Sequence, residues 1–143
     1  MMKRRDTLMR LKRFRVDDFK RRMATLDAMK ADAEKKLADL EDSIARERQR
    51  ANDTDIGRLA FPSFLRSIDA RRENLRATLR DVERERVGVQ TDLTAAFQDL
   101  KALELATEQQ AKRVAEVETR RAQSRLDEMS IVRHLRKHAL RQA

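Results

Sequence analysis

The sequence of residues 61–103 is FPSFLRSIDARRENLRATLRDVERERVGVQTDLTAAFQDLKAL. Alternating steps of four and three residues along this stretch select thirteen positions, of which eleven are apolar. These positions are Phe61, Leu65, Ile68, Arg72, Leu75, Leu79, Val82, Arg86, Val89, Leu93, Ala96, Leu100 and Leu103. Such a strict 3.5-residue repeat predicts a helix that supercoils around another helix.

A second stripe of the same period precedes the first. Its nine positions include eight apolar residues and are Val16, Phe19, Met23, Leu26, Lys30, Ala33, Leu37, Leu40 and Ile44. Upstream, Leu8, Leu11 and Phe14 extend the pattern with a phase slip of about one residue. The two stripes predict two helices that bury their apolar faces against each other.

A segment rich in turn-forming residues, QRANDTDIG at positions 49–57, separates the two stripes. Its Asn, Asp, Thr and Gly residues offer side-chain caps and positive φ angles. Pro62 follows, and proline suits only the first turn of a helix. We therefore predict one coiled-coil domain over 1–143, with helix 1 at about 4–50, a turn at about 51–59 and helix 2 at about 60–140.

So short a connection predicts an all-α fold, a long antiparallel two-helix coiled-coil hairpin. Folding about residue 54 places Ile44 near Leu65, Leu37 near Arg72 and Met23 near Arg86. Helix 2 is then longer than helix 1 and overhangs at the C-terminus. Beyond Leu103 only four of the next nine stripe positions are apolar, so we expect this part to be marginally stable or to need a partner.

The composition excludes several classes of protein. Charged residues make up 41% and aromatic residues 3% of the 143 residues, with two Gly, one Pro and no Cys. So few turn-forming residues argue against strand-rich folds, and the lack of Cys excludes disulfides and thiolate metal sites. No apolar run approaches the roughly 18 residues of a membrane span, and no signal peptide is apparent. We therefore expect a cytosolic protein.

Motifs for catalysis are also missing. The glycines, at 57 and 88, are too far apart for a phosphate-binding loop. His134 and His138 have the spacing of metal ligands on one helix face, but Arg133, Arg136 and Lys137 around them would repel a cation. We predict no enzymatic activity, no metal and no cofactor.

The net charge of +9 is concentrated at the two ends of the chain. Residues 1–30 hold eleven Lys and Arg against four acidic residues, and residues 110–143 hold nine against four, whereas residues 31–109 hold fourteen against seventeen. Basic ends can bind nucleic acid, anionic lipid or an acidic protein surface. At the other end of the hairpin, Phe61, Phe64 and Leu65 either form a docking patch or plug the end of the apolar seam.

Three cations, Lys30, Arg72 and Arg86, occupy positions in the apolar stripes. One interpretation is that their long side chains extend out of the seam toward acidic neighbours such as Glu34, Glu73, Asp81 or Glu83. The other is that they fix the register of the two helices at some cost in stability. Both interpretations stay open from the sequence.

Residues 5–17, RDTLMRLKRFRVD, resemble the N-terminus of the flagellar export protein FliJ family. The segment FPSF at 61–64 is similar to the opening of helix 2 in alphaproteobacterial members. The resemblance implies a non-enzymatic component of flagellar type III secretion that resembles the central stalk of rotary ATPases. It implies a role in motility and chemotaxis, and a cytoplasmic location, peripheral at the cytoplasmic face of the inner membrane.

The implied partners are the flagellar export ATPase and its regulator, the cytoplasmic domain of the export gate, and chaperones of late substrates, with no nucleic acid. The predicted partner-binding residues are Arg5, Arg10, Lys12, Arg13 and Phe14 at the basic end, and Phe61, Phe64 and Leu65 at the hairpin tip. The predicted seam residues are Val16, Phe19, Met23, Leu26, Leu37, Leu40, Ile44, Ile68, Leu75, Leu79, Val82, Val89, Leu93 and Leu100. The alternatives are a nucleic-acid-associated basic coiled coil and a structural homodimerising rod.

Overall fold

Two long helices make up the computed structural model, which describes residues 2–142, with side chains described from residue 3. Helix α1 spans Met2–Asp53 and helix α2 spans Asp55–Gln142. Residues 2–142 contain no strand, and the two helices pack against each other. The prediction of an all-helical protein built from two packed helices is confirmed.

The chain divides into two units, residues 1–98 and residues 99–143. In the first unit, the apolar stripes of both helices supply the core, whose residues are less than a tenth exposed. They are Val16, Leu26, Ala33, Ile44 and Ala51 of α1 and Ile68, Val82 and Ala96 of α2. Burying one Val, Leu or Ile side chain contributes about 1.5–3 kcal/mol, so this seam is the main stabilising feature of the unit.

Among the described residues of the first unit, ion pairs join α1 to α2. They connect Arg72 to Glu41, Arg86 to Asp27, and Glu83 to Lys30. The residue number rises along α2 as it falls along α1, and the two numbers of each pair add up to 113. The expected register had Arg72 level with Leu37 and Arg86 level with Met23, so the observed partners lie four residues, about one helical turn, further along α1.

The connection between the helices is the single residue Thr54, shorter than the predicted turn at 51–59. The Thr54 side chain caps α2, because its Oγ1 accepts a hydrogen bond from the Gly57 N–H at 3.0 Å. The same hydroxyl donates to the Arg50 carbonyl at 3.2 Å, at the end of α1. Asp55 follows in the first turn of α2, where a carboxylate favours the positive end of the helix dipole. One threonine thus ends one helix and begins the next.

Position 57 requires a glycine because there is no room for a side chain, and not because of its backbone angles. No residue in the described part of the chain has a positive φ, glycine included. A Cβ atom at position 57 would lie 2.6 Å from the Arg50 carbonyl oxygen and 2.7 Å from Thr54 Oγ1. The close approach of the two helix ends therefore leaves no room for a side chain.

Pro62 lies in the interior of α2, and not in its first turn as predicted. The reason is the Thr54 cap, which starts α2 at Asp55, several residues before the expected start at about 60. Proline has no N–H, so the Arg58 carbonyl has no intrahelical donor from position 62. The helix continues through this position nevertheless.

Replacing the two glycines by alanine tests this description. Gly57→Ala should lower the free energy of unfolding by about 1–3 kcal/mol, because its methyl group overlaps the Arg50 carbonyl. Gly88→Ala is the matched control, since no atom lies within 4 Å of a Cβ at that position. It should raise the free energy of unfolding by roughly 0.5–1 kcal/mol through helix propensity. Urea unfolding followed by circular dichroism measures both; equal effects would contradict the structure of the turn.

Candidate partner-binding surfaces

The basic end of α1 is a surface of exposed cations around one aromatic ring. Arg5, Arg10 and Arg13 are exposed, and Phe14 is 58% exposed although the ring is apolar. The Arg21 guanidinium lies over the Phe14 ring, 5.8 Å from its centroid. Lys12 is half-buried. The helix thus presents positive charge and an accessible ring together.

Three arginines of this surface have no ionic partner among the described residues. Among residues 3–142, neither Arg5, Arg10 nor Arg13 forms an ion pair. Farther along α1, Arg22 does pair with Asp18 at 3.0 Å and Lys36 with Asp32 at 2.9 Å. An exposed cluster of uncompensated cations attracts and orients an acidic partner.

A second candidate surface surrounds the connection at Thr54. Phe61, Phe64 and Leu65, predicted from the sequence, are all half-buried. The most exposed apolar side chains here are Ile56 and Leu59, at 82% and 83%. Ile56 was not predicted as part of this surface, because it lies inside the turn-rich segment. The signal that could have revealed it is an apolar residue between Asp55 and Gly57.

All fourteen predicted seam residues are buried or half-buried. The buried ones are Val16, Leu26, Ile44, Ile68, Val82 and Leu100. The half-buried ones are Phe19, Met23, Leu37, Leu40, Leu75, Leu79, Val89 and Leu93. Both stripes are therefore used mainly for packing between the two helices.

Arg72 and Arg86 each bridge two carboxylates. Arg72 binds Asp69 on its own helix and Glu41 on α1, the latter at 2.9 Å. The hydrogen bonds to Asp69 and then Glu41 raise the pKa of Arg72 above its ordinary value. Of the acidic neighbours proposed for these cations, only Glu83 is used.

Arg86 repeats this arrangement two seven-residue repeats further along α2. Its guanidinium binds Asp27 at 2.8 Å and Glu83 at 3.0 Å. The hydrogen bond to Glu83 is the main cause of the raised pKa of Arg86, with Asp27 contributing and desolvation opposing. The charged tips thus leave the seam, while the stems of these half-buried side chains remain in it.

The second unit presents an exposed helix over residues 108–142. Every residue from 108 to 142 is exposed, including Val114, Val117, Ile131 and Leu135 of the predicted thin stripe. The His134 and His138 rings stack with their centroids 6.4 Å apart. Across the described residues, no group of three or more His, Asp or Glu side chains is placed to hold a metal ion.

The fold and surfaces define a class: a helical protein whose apolar stripes are packed together and whose charged surfaces are available to partners. A comparison with protein families matches residues 2–139 to the family described as "Flagellar FliJ protein". The chain belongs to the flagellar FliJ protein family, which implies a part in flagellar protein export. Searches of curated proteins and of solved structures each gave no match.

Within residues 2–142, neither helix contains an apolar segment long enough to cross a membrane. This agrees with the exposed polar and charged side chains along both helices.

Replacing Arg72 by leucine tests the role of the seam cations. Arg72→Leu should raise the melting temperature by a few degrees, because it extends the apolar seam and leaves two exposed carboxylates that water solvates. Arg72→Ala should lower it, since the packed stem is lost as well. Thermal unfolding followed by circular dichroism compares the two variants. A lower melting temperature for Arg72→Leu would show that the bridge stabilises the fold more than apolar packing does.

Proposed function

We propose that this protein is a non-enzymatic coiled-coil stalk of the flagellar type III export apparatus. It links the export ATPase ring, with its regulator, to the cytoplasmic domain of the membrane export gate, and it handles chaperones of late substrates. Family membership supports the export role. The protein would act in the cytoplasm, peripheral to the cytoplasmic face of the inner membrane, through its contacts with the apparatus.

A stalk needs a stiff element, and an antiparallel helical hairpin provides one. The opposite order of the cross-helix ion pairs along α1 and α2 supports the antiparallel arrangement. The one-residue connection at Thr54 supports it as well, because short connections join antiparallel neighbours. Two helices that share a continuous apolar seam resist bending more than one helix alone.

The observation that carries the proposal is the uncompensated positive charge at the start of α1. Arg5, Arg10 and Arg13 are exposed without ion pairs among the described residues, and Phe14 lies beside them. A ring with an acidic inner surface would attract this end of the helix and gain one apolar anchor. We assign this surface to the export ATPase.

The surface around Thr54 is the candidate contact with the export gate. Exposed Ile56 and Leu59 and half-buried Phe61, Phe64 and Leu65 all lie within the first eleven residues of α2. Apolar and aromatic side chains of this kind anchor protein interfaces. A charged surface at one site and an apolar surface at another suit a protein with two different partners.

Reversing the charge of the basic end tests the ATPase contact. The variant Arg5→Glu/Arg10→Glu/Arg13→Glu should lose binding to the purified cognate export ATPase by at least about tenfold, because each reversal replaces attraction by repulsion. Stimulation of ATP turnover and of ATPase oligomerisation should fall with it. Lys12 is left unchanged because it is half-buried.

The matched control reverses three other exposed cations of α1, as Lys35→Glu/Arg46→Glu/Arg48→Glu. It changes the net charge by the same amount and should bind and stimulate as the wild type does. If both variants behave like the wild type, or if the ATPase responds to neither protein, the stalk proposal is wrong. Salt-dependent binding of the wild type to unrelated DNA duplexes would favour the nucleic-acid alternative.

A further inference from the structure

The two long sides of the helix pair differ within residues 22–92. On one side the cross-helix ion pairs close the seam, using Asp27 and Glu83, each of which directly follows an apolar seam residue. On the other side lie Met29 and Glu85, each of which directly precedes a seam cation. Successive helix residues are about 100° apart around the helix axis. Asp27 and Glu83 therefore border one edge of the apolar stripes, and Met29 and Glu85 border the opposite edge.

The side without cross-helix ion pairs contains an open groove. Leu26 and Val89 form its floor, Met29 borders it on α1, and Glu85, Gly88 and Asp92 border it on α2. Leu26 is only 6% exposed, whereas Met29 is 46% exposed although it is apolar. Residues spaced by three and four positions on two neighbouring helices form the kind of surface on which a third helix packs.

Gly88 borders the groove, and nothing inside the described chain requires a glycine at this position. A glycine in the interior of a helix costs about 1 kcal/mol relative to alanine. Its φ is not positive, and no atom lies within 4 Å of a Cβ at this position. The packing of α1 and α2 would therefore accept a side chain. The space beside Gly88 is therefore open to a side chain from outside.

The charge of the groove defines what fits there. Glu85 and Asp92 are exposed on the α2 wall, and within the described residues neither forms an ion pair. Arg22, on the opposite wall, is already paired with Asp18. An occupant that places Lys or Arg over the α2 wall would neutralise both carboxylates, while its apolar side chains cover the floor.

We propose that this groove is a docking site for a basic amphipathic helix of another protein. The helix places a large apolar side chain over Gly88 and the groove floor, and a Lys or Arg beside Glu85 and Asp92. A second copy of this chain, docked through the same face by twofold symmetry, would oppose these carboxylates to their own counterparts. The site is separate from the basic end and from the Thr54 connection, so it goes beyond the stalk role.

Site-specific cross-linking in the native bacterium tests this proposal. A photo-reactive benzoyl-phenylalanine replaces Met29 in the full chain, and mass spectrometry identifies the cross-linked peptide. We expect a segment of another protein with helical apolar periodicity and Lys or Arg beside the apolar positions. Adding Gly88→Leu should reduce this product by about tenfold or more, because the leucine side chain occupies the space that the docked helix needs.

Control variants distinguish a loss of docking from a general effect of added side-chain volume or changed net charge. Ala31→Leu, an exposed position that does not border the groove, should leave the product unchanged. Glu85→Lys/Asp92→Lys should reduce it, whereas Glu34→Lys/Asp42→Lys, at exposed acidic positions elsewhere, should not. Circular dichroism should show that Gly88→Leu melts no lower than the wild type, since leucine is the better helix former.

Several results would overturn the proposal. The first is that the Gly88→Leu variant forms as much cross-linked product as the protein without this substitution. The second is that the cross-linked peptide comes from a second copy of this chain. The third is that the partner segment contains no basic residues. The readout does not use the export ATPase. A variant can therefore lose cross-linking and still stimulate the ATPase, or lose stimulation and still cross-link. Either result shows that the docking proposal and the stalk proposal are tested independently.

Discussion

The contact between two apolar stripes is the constraint on which the rest of this structure depends. Residues such as Val16 and Ile44 of α1 and Val82 of α2 are almost completely buried, although the chain is 41% charged. Without this contact, neither helix has a face that shields its apolar residues from water. The other features depend on this seam. Arg72 and Arg86 form ion pairs across it, Thr54 connects its two helices, and the groove lies along one of its edges.

The fold was predictable because its signal is periodic. Positions in a 3.5-residue repeat face the partner helix whatever their neighbours are, so all fourteen seam residues could be named from the sequence. The register was not predictable in the same way. The stripe repeats along each helix, so the sequence alone does not show which acidic residues of α1 lie within reach of Arg72 and Arg86.

The candidate surfaces were predictable only in part, because exposure depends on packing and not on residue type. The basic cluster at Arg5, Arg10 and Arg13 is evident from composition, whereas the exposure of Phe14 is not. Ile56 was hidden in a turn-rich segment. Gly88 had no sequence signal of its own, since only the structure shows that no atom occupies the space of its missing side chain. A functional glycine and a tolerated one look alike in a sequence.

The measurement that tests the central claim most directly is one distance within a single molecule. Spin labels at Ala38 and Arg76, both exposed, would be diluted with unlabelled protein so that only intramolecular pairs contribute. With neighbouring helix axes about 8–10 Å apart, the packed antiparallel pair predicts a label separation of roughly 10–20 Å. A continuous straight helix through Thr54 would instead separate these residues by about 57 Å. The longer distance would contradict the account.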